Sequence, residues 1–520
     1  MTNVLDLGAI THDDGFFLVA GTSGWQPGFE PADTGTGEDY RHVFTRKGSG
    51  TTVKETALKL IRSARQKVFL ASYLLGEPDL LGALFDVAGR LRGGVYVISE
   101  LSERTMRQQL AELEEETDPD AAVRAHKKNF AELTRHGVAV RGRADCHAKF
   151  LVVDDRAALV SSANLDTRGL NETGENGVMI TSPAEVDRVA RFFTRLWDSC
   201  SYEMPAGSAE YSVRERPPGS SRCRVPVPDI TPAPSVIWTD GKEERLILAH
   251  LHDIIGRARR SLMLATFSLN GLVSRRELLI EPLTAALRNG EVAASLLCRG
   301  RNNMGAHRRD AAALADLGVR IYADQLNHAK GVIADDAHGA LFSANFDAAH
   351  GLLDGVEAGV RLDGQPALTE ASRFFRHAME HADLEYARHP TAAQLDAGLA
   401  ARWRVPWPYG KRLRVTATAA HWQRFRADAA TGPVLYTLDK TAAGKARAET
   451  RLYAGAGQWL LSPPHANETR DLIPADPPGQ QAPQDAVGLL EEWLTAPRRG
   501  RNERANDQAR GFCPTIMEHG

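Results

Sequence analysis

Two stretches of the chain repeat the same order of hydrophobic and polar positions. In "ALKLIRSARQKVFLASYLL" (Ala57 to Leu75), apolar residues first recur at helical spacing, and after a basic turn they form a continuous run that predicts a buried strand. The stretch "LHDIIGRARRSLMLATFSL" (Leu251 to Leu269) has the same order. In both copies a later helix is predicted to end at a glycine, Gly137 or Gly318, before another short strand. The hydrophobic pattern therefore predicts a duplicated unit.

Short apolar strands that alternate with helices are typical of α/β units with a largely buried, mixed or parallel sheet. The proline-rich segment Pro217 to Ser235 separates the two copies and cannot be helical. We therefore expect, in chain order, an N-terminal extension with a hairpin, lobe 1, a Pro-rich linker, lobe 2, a small β-rich appendix and a linker with a basic tail, at residues 1–50, 51–204, 205–236, 237–388, 389–470 and 471–520.

Composition adds few constraints to this picture. The chain has 520 residues, 43% hydrophobic and 25% charged, as expected for a globular protein of more than one domain. Its net charge of −3 indicates no particular partner, so a nucleic-acid role would depend on local basic patches. Five scattered cysteines without a CxxC pair favour a reducing compartment. With neither a signal peptide nor a transmembrane run in the sequence, we expect a cytoplasmic protein.

The duplication includes a motif of reactive residues within "ADCHAKFLVVDD" and "QLNHAKGVIADD". Both copies contain a histidine, a lysine two residues later and an aspartate five residues after the lysine: His147, Lys149 and Asp154, and His328, Lys330 and Asp335. On a strand, residues two apart share a face, so the histidine and the lysine would point the same way while the aspartate faces elsewhere. A cation beside an imidazole forms a candidate anion site, and phosphate is a common anion.

Further polar residues follow each motif at matched distances. An asparagine lies 17 residues after each histidine, a serine stands two residues before that asparagine, and a glutamate follows the histidine by 28 or 29 residues: Asn164, Ser162 and Glu175, and Asn345, Ser343 and Glu357. A single His-x-Lys is more often structural, but two copies with matched partners favour one joint site. The serines either line this site or pack tightly as small strand residues.

The duplicated H-x-K-x-x-x-x-D motif, followed by a small residue and an asparagine, resembles the phospholipase D superfamily. The resemblance covers both lobes, roughly Thr51 to Arg388. It implies two α/β/α lobes packed with pseudo-two-fold symmetry, whose motifs face each other across one shared cleft. The predicted fold class is therefore α/β, with two such lobes and a small β-rich C-terminal appendix.

The resemblance also implies a reaction. One histidine attacks phosphorus and becomes a phosphohistidine, while the other protonates the leaving oxygen and then activates water. Family precedent makes His147 the nucleophile and His328 the acid, although the spacing of the residues does not distinguish them. An ordinary histidine pKa of about 6.5 is compatible with both roles.

The same resemblance implies roles for the remaining residues of the site. Lysines neutralise the phosphate, asparagines donate hydrogen bonds to it, and each glutamate fixes the far nitrogen of a histidine. The two aspartates of the motif, which face away, are expected to hold the lobe together. No metal or cofactor is needed.

The substrate is less well defined than the reaction. Ser161 and Phe342 precede the small residue and the asparagine where many members of the superfamily have glycine, which changes the floor of the pocket. Three classes remain: a nuclease, a phospholipase D or cardiolipin-synthase-like phosphatidyltransferase, and an inert scaffold. The intact motifs disfavour the scaffold. The "SAN" element followed by Leu165 or Phe346 resembles that of nuclease-type and uncharacterised bacterial members more than that of cardiolipin synthases, which favours a nuclease. The near-neutral charge argues against it. We favour nucleic acid over phospholipid as the phosphodiester substrate.

Beyond the second copy, the stretch "RWRVPWPYGKRLRV" (Arg402 to Val415) interleaves aromatic and basic residues. Such a pattern can stack bases and bind phosphates. The favoured alternative is an amphipathic strand with a solvated basic face.

Overall fold

The computed structural model describes both predicted lobes and part of the remaining chain. The described residues are 6–10, 15–19, 28–32, 38–102, 119–205, 207–208, 210–216, 235–241, 244–288, 290–301, 305–324, 326–348, 350–388 and six strands beyond residue 410. Most of the predicted linker (217–234), the aromatic and basic stretch up to residue 410 and most of the predicted tail lie outside them.

The first lobe is built on a ten-stranded sheet. The two strands that precede it in the chain, β1 (Asp6–Ile10) and β2 (Phe16–Val19), belong to other sheets. The strands of the first sheet, in chain order, are β3 (Tyr40–Arg46), β4 (Gly50–Thr51), β5 (Val68–Ala71), β6 (Val95–Ser99), β7 (Ala139–Gly142), β8 (Phe150–Val153), β9 (Ala157–Ser161), β10 (Glu175–Ile180), β11 (Tyr202–Met204) and β12 (Arg214–Glu215). Their order across the sheet is β12-β11-β7-β6-β5-β8-β9-β10-β3-β4. Strands β5, β6 and β7 are parallel and their neighbours antiparallel, so the sheet is mixed, as expected.

The second lobe repeats this topology. Its strands are β13 (Val236–Asp240), β14 (Glu244–Arg245), β15 (Ser261–Ala265), β17 (Ala293–Cys298), β18 (Arg320–Ala323), β19 (Gly331–Ala334), β20 (His338–Phe342), β22 (Val356–Arg361) and β23 (Leu384–Ala387), together with β2. Their order is β14-β13-β22-β20-β19-β15-β17-β18-β23-β2. A separate pair, β16 (Leu269–Asn270) and β21 (Phe346–Asp347), is parallel. Strands β15, β17 and β18 are parallel, like β5, β6 and β7.

Helices cover both faces of the sheets. They are α1 (Thr52–Arg62), α2 (Pro78–Ala88), α3 (Pro119–Arg135), α4 (Thr167–Asn171), α5 (Pro183–Ser199), α6 (Leu246–Arg257), α7 (Ile280–Leu287), α8 (Gly305–Asp316) and α9 (Pro366–Glu380). Helices α3 and α8 end two residues before Gly137 and Gly318, whose φ values of 84° and 88° confirm the predicted helix stops. Helices α5 and α9 both begin at a proline, which the first turn of a helix tolerates.

Three apolar cores hold the lobes together. One core lies beneath α1, α2 and α3 in lobe 1, and a second beneath α6, α7 and α8 in lobe 2. The third contains residues of both lobes, including Phe192 and Phe193 of α5 and Phe374 and Phe375 of α9. Phe192 stacks on Trp238 of the other lobe with ring centroids 4.9 Å apart. The two closing helices thus form a shared layer between the sheets, because each buries its apolar stripe against both.

The first 50 residues contribute strands to all three large sheets. Strands β3 and β4 belong to lobe 1, and β2 pairs with β23 of lobe 2 instead of forming the expected hairpin. Strand β1 pairs with β25 in a seven-stranded third sheet. The other strands of that sheet are β24 (Lys411–Leu413), β25 (Val434–Asp439), β26 (Glu449–Gly455), β27 (Gln458–Ser462), β28 (Ile473–Ala475) and β29 (Ile516–Glu518). The hairpin prediction was wrong because a sheet edge distant in sequence supplies the partner for β2.

Candidate active site

The two motif histidines lie where the lobes meet. Neither histidine is inside a strand: β8 and β19 begin one residue after Lys149 and Lys330, so the predicted strand starts later than expected. The preceding extended segments pair with the opposite lobe. The His147 amide donates to the Val356 carbonyl at 2.9 Å, and the His328 amide donates to the Gly174 carbonyl at 2.8 Å. Backbone hydrogen bonds therefore join the lobes at the motif itself.

Each histidine is hydrogen-bonded to a glutamate from the other lobe. His147 Nδ1 lies 2.9 Å from Glu357 Oε1, and His328 Nδ1 lies 2.8 Å from Glu175 Oε1. A carboxylate at this distance accepts the Nδ1 proton, which leaves Nε2 as the unprotonated nitrogen of a neutral ring. Both glutamates directly follow the residues that pair with the histidine backbones, at the start of β10 and near the start of β22. One complete site therefore requires both lobes.

The two glutamates are held by serines of their own lobes. Ser162 Oγ donates to Glu175 Oε2 at 2.5 Å, and Ser343 Oγ donates to Glu357 Oε2. Thr173 adds a second donor to Glu175, at 2.7 Å. Burial alone would raise the carboxyl pKa of Glu175, but the contact with His328, the charge of Lys330 and the hydrogen bond from Ser162 outweigh it and lower that pKa to about 2. Both serines thus support the glutamates instead of lining the cleft directly.

The lysines are fully buried beside the histidines. Lys149 Nζ donates to the His147 carbonyl at 2.6 Å, and Lys330 Nζ donates to the His328 carbonyl at 2.8 Å. Burial lowers the pKa of Lys149 to about 8 and that of Lys330 to about 7, although both glutamates oppose the shift. Burial disfavours an ammonium group, so an anion placed here would restore the charge.

Burial also favours the neutral form of both imidazoles. It lowers the pKa of His147, and it lowers the pKa of His328 to about 3. Lysines of both lobes contribute to each shift, so the four groups share one electrostatic environment. The His328 side chain is 7% exposed and that of His147 19%.

The two asparagines occupy equivalent loops after β9 and β20. Their side-chain oxygens are buried, and among the described residues neither has a hydrogen-bond partner. In both lobes a glycine packs on the asparagine backbone: a Cβ on Gly169 would lie 2.3 Å from the Asn164 carbonyl oxygen, and one on Gly351 would lie 2.1 Å from that of Asn345. Only glycine permits this close approach.

The two motif aspartates lie away from the histidines. The Asp154 carboxylate accepts hydrogen bonds from the amides of Gln66 and Lys67 at 2.8 and 3.1 Å. Asp335 accepts from Arg260 and Ser261, both at 2.8 Å. Each binds the turn between a helix and the central strand of its lobe. They position the strand that leads from the lysine and touch no group of the site.

Other residues reach the site that the sequence pattern did not single out. The Tyr73 ring lies 5.7 Å from the His147 ring, and the Phe267 ring lies 5.0 Å from the His328 ring. Each follows the central parallel strand of its lobe by two residues. Asn176 crosses the lobes, since its Nδ2 donates to the Lys330 carbonyl at 3.2 Å. These positions could have been identified only from the order of the strands, because the carboxyl ends of the parallel strands lie along one edge of the sheet.

Three further observations concern metals, thiols and membranes. Across the described part of the chain, no group of three or more histidine, cysteine, aspartate and glutamate side chains could hold a metal ion. Cys146, Cys200 and Cys298 are buried free thiols. No helix within the described residues is long and apolar enough to cross a membrane.

Comparisons with known proteins found one family and several solved structures that are similar to this chain. Residues 57–197 match the family described as cardiolipin synthase, PLD-like domain. The phosphatidylserine synthase structure from Haemophilus influenzae Rd KW20 has a TM-score of 0.50 at 14% identity, covering 81% of this chain and 97% of that one. The Nuc structure from Salmonella typhimurium, a phospholipase D family member, has a TM-score of 0.25 at 17% identity and covers 32% of this chain and 97% of that one. No curated protein sequence matches the chain.

The duplicated mixed α/β lobes and the paired histidine motifs define a two-lobe protein with one composite candidate site. Residues 57–197 match the PLD-like domain family, and lobe 2 repeats the strand order of that region.

Proposed function

We propose that this protein is a phosphodiesterase that cleaves its substrate through a phosphohistidine. The proposal rests on two hydrogen bonds between the lobes. One joins His147 to Glu357 and the other joins His328 to Glu175, and a buried lysine lies beside each histidine. Two imidazoles with fixed tautomers can act as nucleophile and as acid–base, and two ammonium groups can neutralise a bound phosphate.

The proposed reaction has two displacements. Nε2 of one histidine attacks phosphorus, and the bond to the leaving oxygen breaks as the other histidine, protonated in the bound complex, donates its proton to that oxygen. The same second histidine then removes a proton from water, whose oxygen attacks phosphorus and breaks the phosphorus–nitrogen bond. Glu175 and Glu357 keep the Nδ1 protons in place throughout. Lys149 and Lys330 neutralise the non-bridging oxygens, and Asn164 and Asn345 donate hydrogen bonds to them.

Family precedent assigns the attack to His147, and the proposal adopts that assignment. Burial lowers the pKa of both rings, so both are neutral in the ligand-free protein, and the acid must gain its proton in the bound complex. Trapping the covalent adduct decides which histidine attacks, as described in the Discussion.

Nucleic acid is the first candidate substrate, and the reaction would then be that of a metal-independent nuclease in a cytoplasmic setting. The "SAN" elements at Ser162 and Ser343 support it. Phospholipid is the second candidate, as in a phospholipase D or a phosphatidyltransferase. The match of residues 57–197 to the cardiolipin synthase family favours it.

The test offers single-stranded and double-stranded DNA, RNA and phospholipid vesicles to the purified full-length chain, with and without excess EDTA. We expect cleavage of one substrate class that EDTA does not remove. Loss of activity in EDTA and rescue by magnesium would contradict the metal-independent mechanism. His147→Asn provides the inactive control for contaminating enzymes.

A further inference from the structure

The two lobes carry different ionisable side chains at equivalent positions beyond their central strands. Strands β5 and β6 pair Ala71 with Ile98, and strands β15 and β17 pair Ala265 with Leu297. Two residues after Ile98, lobe 1 has Glu100, and two residues after Leu297, lobe 2 has Arg299. Two residues further, lobe 2 has another arginine, Arg301. The duplicated fold thus has a carboxyl group in lobe 1 where lobe 2 has guanidinium groups.

The arginines of lobe 2 lie next to the motif histidine of that lobe. The Cζ atoms of Arg299 and Arg301 lie 4.7 and 4.3 Å from the centroid of the Phe267 ring. The same ring contacts His328, and its centroid lies 5.8 Å from Lys330 Nζ. Both arginines are 3% exposed. Guanidinium groups suit this position because they stack on aromatic rings and bind phosphate with a planar fork of donors.

The equivalent position of lobe 1 has different chemistry. Glu100 is fully buried, and its carboxylate accepts a hydrogen bond from the Ser102 amide at 2.7 Å. Its other oxygen has no hydrogen-bond partner among the described residues. Tyr73 stands where lobe 2 has Phe267. Burial raises the pKa of Glu100 to about 7. Neither form of its carboxyl group attracts an anion, so this position of lobe 1 does not favour a second phosphate.

We propose that Arg299 and Arg301 form a subsite for a second anionic group of the substrate, on the His328 side of the scissile phosphate. The substrate then has two unlike arms, and the arm next to lobe 2 carries a further phosphate or equivalent anion. This inference deepens the proposed function and rests on it, since the motif histidines place the scissile phosphate between the lobes. A neighbouring phosphate of a nucleic acid and a diphosphate both supply the required chemistry.

The test measures binding of two non-cleavable probes, methylenediphosphonate and methylphosphonate, to the full-length protein by calorimetry. Wild-type protein should bind the diphosphonate at least about tenfold more tightly, the effect of charge-assisted hydrogen bonds to one added group. Arg299→Gln and Arg301→Gln should bring this ratio close to one. Arg299→Lys, which retains the charge, should keep a clear preference, and Glu100→Gln should not weaken it.

Two results would overturn the subsite: a wild-type ratio close to one, or an unchanged ratio in both glutamine variants. Thermal unfolding of each variant shows that its fold is intact, and the lysine variant covers the case in which a glutamine variant does not fold. The two proposals fail separately. Protein that prefers the diphosphonate but cleaves no phosphodiester would retain the subsite and exclude the proposed reaction. Protein that cleaves a phosphodiester but binds both probes equally would retain the proposed reaction and exclude the subsite.

Discussion

The two lobes use the same backbone to hold the reactive groups and different side chains to surround them. In both, a histidine and a lysine precede a buried strand, a serine holds a glutamate, and that glutamate reaches the histidine of the other lobe. Next to these groups the lobes diverge, with Tyr73 and Glu100 in one and Phe267 and Arg299 in the other. The shared parts suit reactions common to phosphodiesters, whereas the divergent parts can distinguish substrates.

The interface between the lobes shows a second difference. Arg46 of lobe 1 pairs with Asp324 of lobe 2 at 2.6 Å, and Arg143 of lobe 1 pairs with Asp240 of lobe 2 at 2.5 Å. These ion pairs occupy equivalent places under the pseudo-two-fold symmetry, but lobe 1 supplies both cations. Pairing two copies of the same lobe would bring like charges together. The interface therefore favours the association of unlike lobes.

The largest expected effect comes from removing either motif histidine. His147→Asn and His328→Asn should each lower kcat at least about 10⁴-fold, because one removes the nucleophile and the other the acid. A nitrophenyl ester distinguishes the two variants more clearly, because its leaving group needs little protonation. On that substrate His328→Asn should still form a covalent adduct on His147.

Acid quench followed by mass spectrometry identifies the adduct. If His147→Asn instead accumulates an adduct on His328, the roles of the two histidines are exchanged and the reaction class stands. If neither variant nor the wild type ever forms an adduct, the phosphohistidine mechanism is excluded.

The next effect concerns the cross-lobe glutamates. Glu175→Gln and Glu357→Gln should each lower kcat about 10- to 100-fold with little change in KM, since the amide no longer accepts the Nδ1 proton as a carboxylate does. The loss should be larger for Glu175→Gln, because Thr173 and Ser162 both orient that side chain towards His328. Steady-state kinetics of the two variants tests this order. Ser162→Ala, which removes one of these donors, should show a smaller loss.

From the lowered lysine pKa values we predict that the free energy of unfolding and the phosphate affinity change with pH in opposite directions. In the ligand-free protein the pKa of Lys330 is about 7, against an ordinary value of 10.5, so between these values the unfolded chain binds more protons than the folded one. The free energy of unfolding should therefore rise with pH across that window. Phosphate affinity should fall over the same window, by up to about tenfold per pH unit, because binding requires the ammonium form.

Lys330→Met should weaken phosphate binding and reduce the pH dependence of both the unfolding free energy and the phosphate affinity. Lys149→Met should leave both dependences largely unchanged below pH 8, because the pKa of Lys149 is about 8. Denaturant titrations and phosphate calorimetry from pH 6 to 10 provide the two measurements. An unfolding free energy that does not change with pH in wild type would contradict the lowered lysine pKa values.

The smallest effect concerns the ion pairs between the lobes. Arg46→Asp and Asp324→Arg should each destabilise the fold by about 1–3 kcal/mol, because each leaves a partly buried like-charge pair. The double variant with Arg46→Asp and Asp324→Arg should regain most of the lost free energy of unfolding. Urea unfolding of the two single variants and the double variant measures the coupling energy. Arg143 provides the comparison: Asp240 also contacts Arg195 at 3.0 Å, so Arg143→Met should cost less than Arg46→Met.

Much of this protein could be predicted from repeated patterns along the chain. The duplication, the α/β class, the helix stops at Gly137 and Gly318 and the residues of both motifs follow from spacing, because helices and strands impose their own periodicities on local sequence. Matched distances also singled out Glu175 and Glu357, and the resemblance to the phospholipase D superfamily implied that they are partners of histidines.

Tertiary structure decided which groups meet. That Glu175 serves His328 and Glu357 serves His147 could not be read from the sequence, because the offsets of about 28 residues are the same within each lobe. The pairing of β2 with β23, and the equivalence of Glu100 and Arg299 in the two lobes, likewise depend on strand order. The sequence by itself determined the reactive groups, since their chemistry and periodic spacing are local. Only packing of the two lobes determined their partners and pKa values, because burial and charge act through space.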